Sequence, residues 1–190
     1  MAATTRERLL LTAHELFYRD GFTTVGIDRI IDEVGVTKTT FYNHFESKDD
    51  LMLEVLRWHD KWWRDTFQQK LREAGGDNPR EQIMAAFDVV DELFRSDEFN
   101  GCIFINVAVQ FPLRHDPAHQ AAAEHKKAMT AIFRQLAAYA GAKDPKAFAD
   151  EFSLILEGTY ITQQVSGESE TAHIGRRLGR MLIDRHFSCE

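Results

Sequence analysis

Hydrophobic residues recur at helical spacing along most of the chain. Between Thr5 and Arg19, Leu9, Leu10, Ala13, Leu16 and Phe17 fall on one face of a helix. Gly21 ends that helix, as a residue free to take positive φ, and Phe22 turns back towards the same core. Ile27, Ile30, Ile31 and Val34 predict a second, short helix over Ile27 to Val34, and Gly35 breaks it. Thr37 can cap a third over Lys38 to His44, because its hydroxyl accepts from a free N–H of the first turn. Phe41 and Phe45 stand four apart and share the face that anchors this helix from behind. A fourth helix opens at Ser47, which with Asp50 three residues on resembles a capping box. It runs to about Glu73, before Gly75-Gly76, with Leu51, Val55, Trp58, Trp62 and Leu71 along one side.

Three later starts follow one rule. Asn78-Pro79, Asp116-Pro117 and Asp144-Pro145 each set a capping residue before a proline, which the first helical position tolerates. They predict helices over Pro79 to Phe94, Pro117 to Ala140 and Pro145 to Val165. Gly101 to Phe111 is apolar and rich in β-branched residues, yet no partner strand exists in the sequence, so it reads as a short buried helix. Ser166 to Glu170 reads as a loop before a last helix, Thr171 to Phe187. The fold class is therefore all-α, with about nine helices. Residues 1–47 form a three-helix head and residues 48–190 a larger helical-bundle body.

The head carries the most specific pattern. A helix, a tight glycine turn and a second helix with a polar outer face make a helix-turn-helix, which places its second helix in the DNA major groove. The polar face holds Lys38, Thr39, Thr40, Tyr42, Asn43 and His44, which can donate to phosphates or meet base edges. His44 suits a capping or core role as well as a DNA role.

Charge works against this reading in sum. The chain has 23 Lys and Arg against 30 Asp and Glu, a net charge of −7. Residues 1–47 hold five basic against seven acidic side chains, a balance of −2, whereas a DNA-reading domain is more often basic. Placement offsets the sum: Arg6 and Arg8 start the first helix, Lys38 the reading helix and Lys48 the next. A narrow positive edge on an acidic protein is expected, with modest, salt-sensitive affinity. No apolar run is long enough for a membrane span, and the first residues lack a signal-peptide core. Cys102 and Cys189 fit no metal or redox spacing and read as reduced thiols of a cytoplasmic protein.

The stretch Gly21 to Leu51 resembles the TetR family of bacterial transcriptional regulators. The resemblance lies in Gly21-Phe22, Ile27, Ile30, Val34-Gly35-Val36-Thr37-Lys38, Thr40-Phe41-Tyr42, His44-Phe45 and Ser47-Lys48. It implies an all-α homodimer, a three-helix DNA-binding head, and a body that holds a small-molecule pocket and dimerises through its last two helices. Carried over, Tyr42 and Lys48 match positions that hold phosphates, with Thr37 near them, and Thr39, Thr40 and Asn43 match positions of base contact. One departure is Val25-Gly26, where the family often has a hydroxyl residue before the second helix.

In the body, Trp58, Trp62, Phe87, Phe104, Val107, Phe111, Phe133 and Tyr160, with Gln163, are candidate walls of an effector pocket, the alternative being ordinary bundle core. Gly175 and Gly179, four apart, let another helix come close. With Phe148, Phe152 and Ile155 on the preceding helix, and Leu178 and Leu182 on their own, they suggest a dimer face, the alternative being close packing inside one subunit. His115, His119 and His125 do not make a metal site, because Pro117 leaves His115 ahead of its helix. Neither metal nor cofactor is expected. With no nucleophile elbow, metal motif or phosphate loop, a helical enzyme is disfavoured. The expected partners are a double-stranded DNA operator, a second copy of the chain and an unidentified small-molecule effector, with no membrane. An interaction module without DNA binding is the alternative.

Overall fold

The computed structural model describes residues 3–167 and 170–187. Among them run nine α-helices: α1 Thr5–Asp20, α2 Ile27–Val34, α3 Lys38–Tyr42, α4 Lys48–Gly75, α5 Pro79–Phe94, α6 Ile103–Gln110, α7 Pro117–Tyr139, α8 Pro145–Ser166 and α9 Thr171–Phe187. Cys189 and part of the loop expected at Ser166 to Glu170 lie outside the described residues.

Local chemistry sets most of these boundaries. Asn78 and Asp144 cap α5 and α8 with their side-chain oxygens, and proline follows each. Asp116 accepts from the N–H of Ala118 at 2.8 Å, starting α7 the same way. At α4 the Ser47 hydroxyl accepts from the Asp50 N–H at 3.0 Å, while the Asp50 carboxylate accepts from the Glu46 N–H at 3.1 Å. The reciprocal bond thus reaches one residue further back than a capping box does. A full capping box sits at α1, where Thr4 and Glu7 exchange bonds. Its Thr-x-x-Glu pattern was legible in the sequence.

The chain divides into two compact units, Met1–Trp62 with Ile103–His125, and Trp63–Cys102 with Lys126–Glu190. This packing division does not follow the boundary expected at residue 47. The head shares its unit with α6 and the first parts of α4 and α7.

In the first unit, Leu9, Ala13, Phe17, Phe22, Val25, Ile30, Phe41 and Phe45 are all buried. Phe17 and Phe22 stack at 5.1 Å. Val25 is fully buried, so the residue that departs from the family pattern serves the core. The second unit is built on an aromatic stack: Phe133 to Phe152 at 4.7 Å, Phe87 to Phe152 at 5.3 Å and Phe148 to Phe152 at 5.5 Å. Gly101, at φ 81°, has the Gln164 side chain so close that a Cβ would lie 2.1 Å from Gln164 Cδ. Glycine is favoured there by its positive φ, the Gln164 amide being the end of a flexible, exposed side chain.

Candidate nucleic-acid interface

The turn between α2 and α3 is made by Gly35 in the left-handed region, φ 73° and ψ 43°, and its N–H bonds back to Ile31 and Asp32. Thr37 then caps α3: its hydroxyl accepts from the Thr40 N–H at 3.2 Å and lies 2.9 Å from the Thr40 hydroxyl. Phe41 and Phe45 are buried to 0% and 1% exposure beneath it. Burial on that scale stabilises by about 1.5–3 kcal/mol per ring, which holds a helix too short to stand alone.

α3 is shorter than expected. It ends at Tyr42, with Asn43 as its C-cap rather than an interior residue. The Phe41 carbonyl accepts from both the His44 and the Phe45 N–H, at 2.9 and 3.0 Å, and this tight final turn closes the helix. Asn43 and Tyr42 nevertheless face outward. Tyr42 is 50% exposed, edge-on to Phe41 at 5.3 Å. Lys38 and Thr39 are exposed, and Thr37 with them; Thr40, His44 and Lys48 are half-buried.

The positive edge expected from Arg6, Arg8, Lys38 and Lys48 is largely engaged within the chain. Arg6 pairs with Glu54 at 2.5 Å and lies over the Phe45 ring at 4.9 Å. Arg8 donates to the Val34 carbonyl, closing the end of α2. Lys38 pairs with Asp28 at 3.1 Å, which raises its pKa. Lys48 lies over Phe17 at 5.9 Å, and burial lowers its pKa. All four thus have a partner within the chain.

The residues proposed for an effector pocket fall in both units. In the first, Trp58 and Trp62 stack in parallel at 5.8 Å, with Trp62 45% exposed. Phe104 stacks on His125 at 3.7 Å, and His125 bonds Asp60 at 2.7 Å. His14 and His59 share a bond of 2.8 Å beside them. Burial holds both imidazoles neutral, bringing His14 down to about 4 and His59 to about 3, the latter helped by its histidine neighbours. No cluster of three or more metal-binding side chains occurs among the described residues. Val107 is buried and Phe111 half-buried. In the second unit, Tyr160 packs against Phe94 and Phe99, and Gln163 is half-buried. Phe87 and Phe133 are corrected: both are 1% exposed and belong to the core stack, where neighbouring rings already fill their faces.

The expected dimer face also needs correction. Phe148 and Phe152 are fully buried within the subunit. Gly175 and Gly179 face Phe87 of the same chain; added Cβ atoms would come within 2.9 and 2.5 Å of its ring. Their missing side chains admit an aromatic ring rather than a partner helix. Leu182 is buried as well, Ile155 is half-buried, and Leu178 alone of the set is exposed, at 44%. A different stripe lies open. On α8 it holds Leu154, Ile161 and Val165, and on α9 Ile174, Leu178 and Met181. Exposed Gly158, with nothing within 4 Å of its Cβ position, completes the α8 row. Positions 154, 158, 161 and 165, and 174, 178 and 181, follow the 4-3 spacing of paired helices. That second apolar row on each helix is the sequence signal that went unused.

Residues 9–55, which take in α2, α3 and the turn between them, match the model described as bacterial regulatory proteins, tetR family. Over this segment the chain carries the pattern of the TetR family. It is similar over its whole length to a crystal structure of a TetR-family transcriptional regulator from Streptomyces coelicolor. The TM-score is 0.87 at 27% identity, covering 97% of this chain and 90% of that one. The HTH-type transcriptional regulator YjdC of Escherichia coli is 22% identical over 175 residues, 88% of this chain and 89% of YjdC. The HTH-type transcriptional repressor NemR of the same organism is 26% identical over 107 residues, 56% of this chain and 53% of NemR. The similarity is thus to TetR-family transcriptional regulators, and the helix-turn-helix of α2 and α3 lies in the matched segment. No described helix is long and apolar enough to cross a membrane.

Proposed function

We propose that this protein is a homodimeric TetR-family repressor that binds a near-palindromic operator and leaves it when a small molecule occupies the body. It acts in the cytoplasm and performs no chemistry on its effector. The observation that carries the reading is the outward set Tyr42, Asn43, Thr39 and Lys38 on a helix fastened beneath by Phe41 and Phe45. Tyr42, Lys48 and Thr37 take phosphates, while Thr39, Thr40 and Asn43 meet base edges. His44 lies at the margin of that contact.

The second copy docks on the open α8–α9 stripe. Exposed apolar side chains at coiled-coil spacing favour a helical partner of like pattern. Asp150, Glu151 and Glu157 of α8 already pair with Lys146, with His186 and Arg185, and with Lys126 of the same chain, so the apolar row is the part of this face left for a partner. A two-fold pairing covers the apolar rows of both helices on each copy. The dimer then presents two reading helices to successive major grooves, roughly 34–36 Å apart. For the effector, half-exposed Trp62 stacked on Trp58 offers an aromatic face. A compound bound there lowers DNA occupancy by its difference in affinity for the two states of the protein.

The test is a footprint of the full chain on the DNA flanking its own gene, at several salt concentrations and with candidate aromatic effectors. A two-fold protected site, lost at higher salt and on adding an effector, is the expected outcome. No protection at low salt overturns the reading and favours an interaction module. Turnover of the effector would point instead to an enzyme.

A further inference from the structure

The second unit contains a cleft of about 410 Å³ between the end of α4, the start of α5 and the end of α7. That volume lies in the range of about 300–1,000 Å³ over which proteins hold small molecules. Its apolar lining is made by the partly buried Ile132 and Leu136, with Leu71 behind them in the core at 1% exposure. The cleft uses none of the residues assigned above to DNA, to the effector or to the second copy.

The polar lining is one-sided in a way that selects a ligand. Gln68 donates its Nε2 to the Arg64 carbonyl at 3.2 Å, and Gln82 donates its Nε2 to the Gly76 carbonyl at 2.6 Å. A carbonyl only accepts, so the amide nitrogen must be the atom turned to it. The Oε1 atoms of both glutamines are left as acceptors and take no protein donor among the described residues. Gln135 bonds the Tyr139 hydroxyl through its Nε2 at 3.2 Å, leaving a third amide oxygen. Asp77 adds a carboxylate and Arg72 a guanidinium. Both are exposed, and neither forms an ion pair among the described residues. The lining thus offers a cation, an anion and several amide oxygens beside two partly buried apolar side chains.

A simple anion would leave Asp77 and the amide oxygens unanswered, and a simple cation would meet Arg72. We propose that the cleft is a second small-molecule site, which takes a zwitterion of dipeptide size with apolar side chains. The ligand's carboxylate meets Arg72, its ammonium meets Asp77 and the glutamine oxygens, and its side chains lie on Ile132 and Leu136. The pairing with Arg72 is two-pronged where geometry allows, which makes it the stronger of the two charge contacts.

Calorimetric titration of the full chain tests this with leucyl-leucine, its N-acetyl derivative and leucyl-leucinamide. The free dipeptide is expected to bind once per chain, and each capped form about tenfold more weakly, a difference of the size one charge contact supplies. Arg72→Gln should remove the preference over the amide and keep that over the acetyl form; Asp77→Asn should do the reverse. Both residues are exposed, so neither change threatens the fold. The proposal is overturned if the dipeptide gives no heat at millimolar concentration. It is overturned equally if the capped forms bind as well, or if both variants leave the preferences unchanged. DNA binding without any dipeptide is expected to be unaltered in both variants, so this result stands apart from that of the footprint.

Discussion

Gly179→Ala separates the two places a small residue on α9 could serve. The added methyl would lie 2.5 Å from Phe87 Cε2, 3.0 Å from Cζ and 3.3 Å from Phe152 Cε2. Carbon atoms in contact prefer about 3.5–4.0 Å, so the Phe87 ring has to move by about 1 Å. It has little room, being 1% exposed with the Phe152 ring beside it at 5.3 Å. Overpacking of this kind costs about 1–3 kcal/mol, and the better helix propensity of alanine returns about 1 kcal/mol. The contact is short enough to place the overpacking cost in the upper part of its range, so a net loss of about 1–2 kcal/mol is expected. For a chain of this length that lowers the melting temperature by about 2–8 °C. Thermal unfolding followed by circular dichroism, at several protein concentrations and with sedimentation on the same samples, reads both stability and association. A variant that is as stable as the parent, or more so, yet associates more weakly would refute the packing of Gly179 on Phe87 and return it to the interface.

Met181→Arg, on the open stripe and 63% exposed in the single chain, should leave the fold intact but make the protein monomeric by sedimentation, and should abolish two-site protection of DNA. A dimer that persists would refute the placement of the interface. Lys48→Ala should weaken binding to all sequences and reduce the salt slope by about 1, while Asn43→Ala should change which base is preferred at one position of each half-site. A shared effect of both on slope alone would contradict their separate roles. His14 and His59 are depressed from 6.5 to about 4 and about 3. The unfolded chain therefore binds more protons across that window, and stability falls as pH drops from about 6.5 towards 4. Urea midpoints measured against pH should show this loss, and His59→Gln should flatten it; an identical profile in the variant would refute the assignment.

Much of the fold was legible because its signals are local. Asn78, Asp116 and Asp144 announce their helices within two residues, and Gly35 and Thr37 set the reading turn by their own conformation and hydroxyl. The outward face of α3 was legible for the same reason, since Phe41 and Phe45 fix which side is in. What stayed hidden depends on partners remote in sequence. Arg6 finds Glu54, and Arg8 the Val34 carbonyl, across 48 and 26 residues. Gly175 and Gly179 declare that something comes close, but the spacing reads alike for a ring of the same chain and a helix of another. Phe87 and Phe133 have the composition of a pocket wall, and only packing reveals that other rings occupy them. The end of α3 at Tyr42 was missed because Phe41 accepts two N–H groups, a choice of geometry that no residue type dictates.

All three tryptophans of the chain, Trp58, Trp62 and Trp63, stand within six residues of α4. Trp62 is open to water, while Trp63 is partly buried and packs on Phe67 at 5.7 Å. Ultraviolet emission from the unlabelled protein therefore reports on less than two turns of one helix. A colour shift on adding any compound can be traced to that segment without attaching a dye.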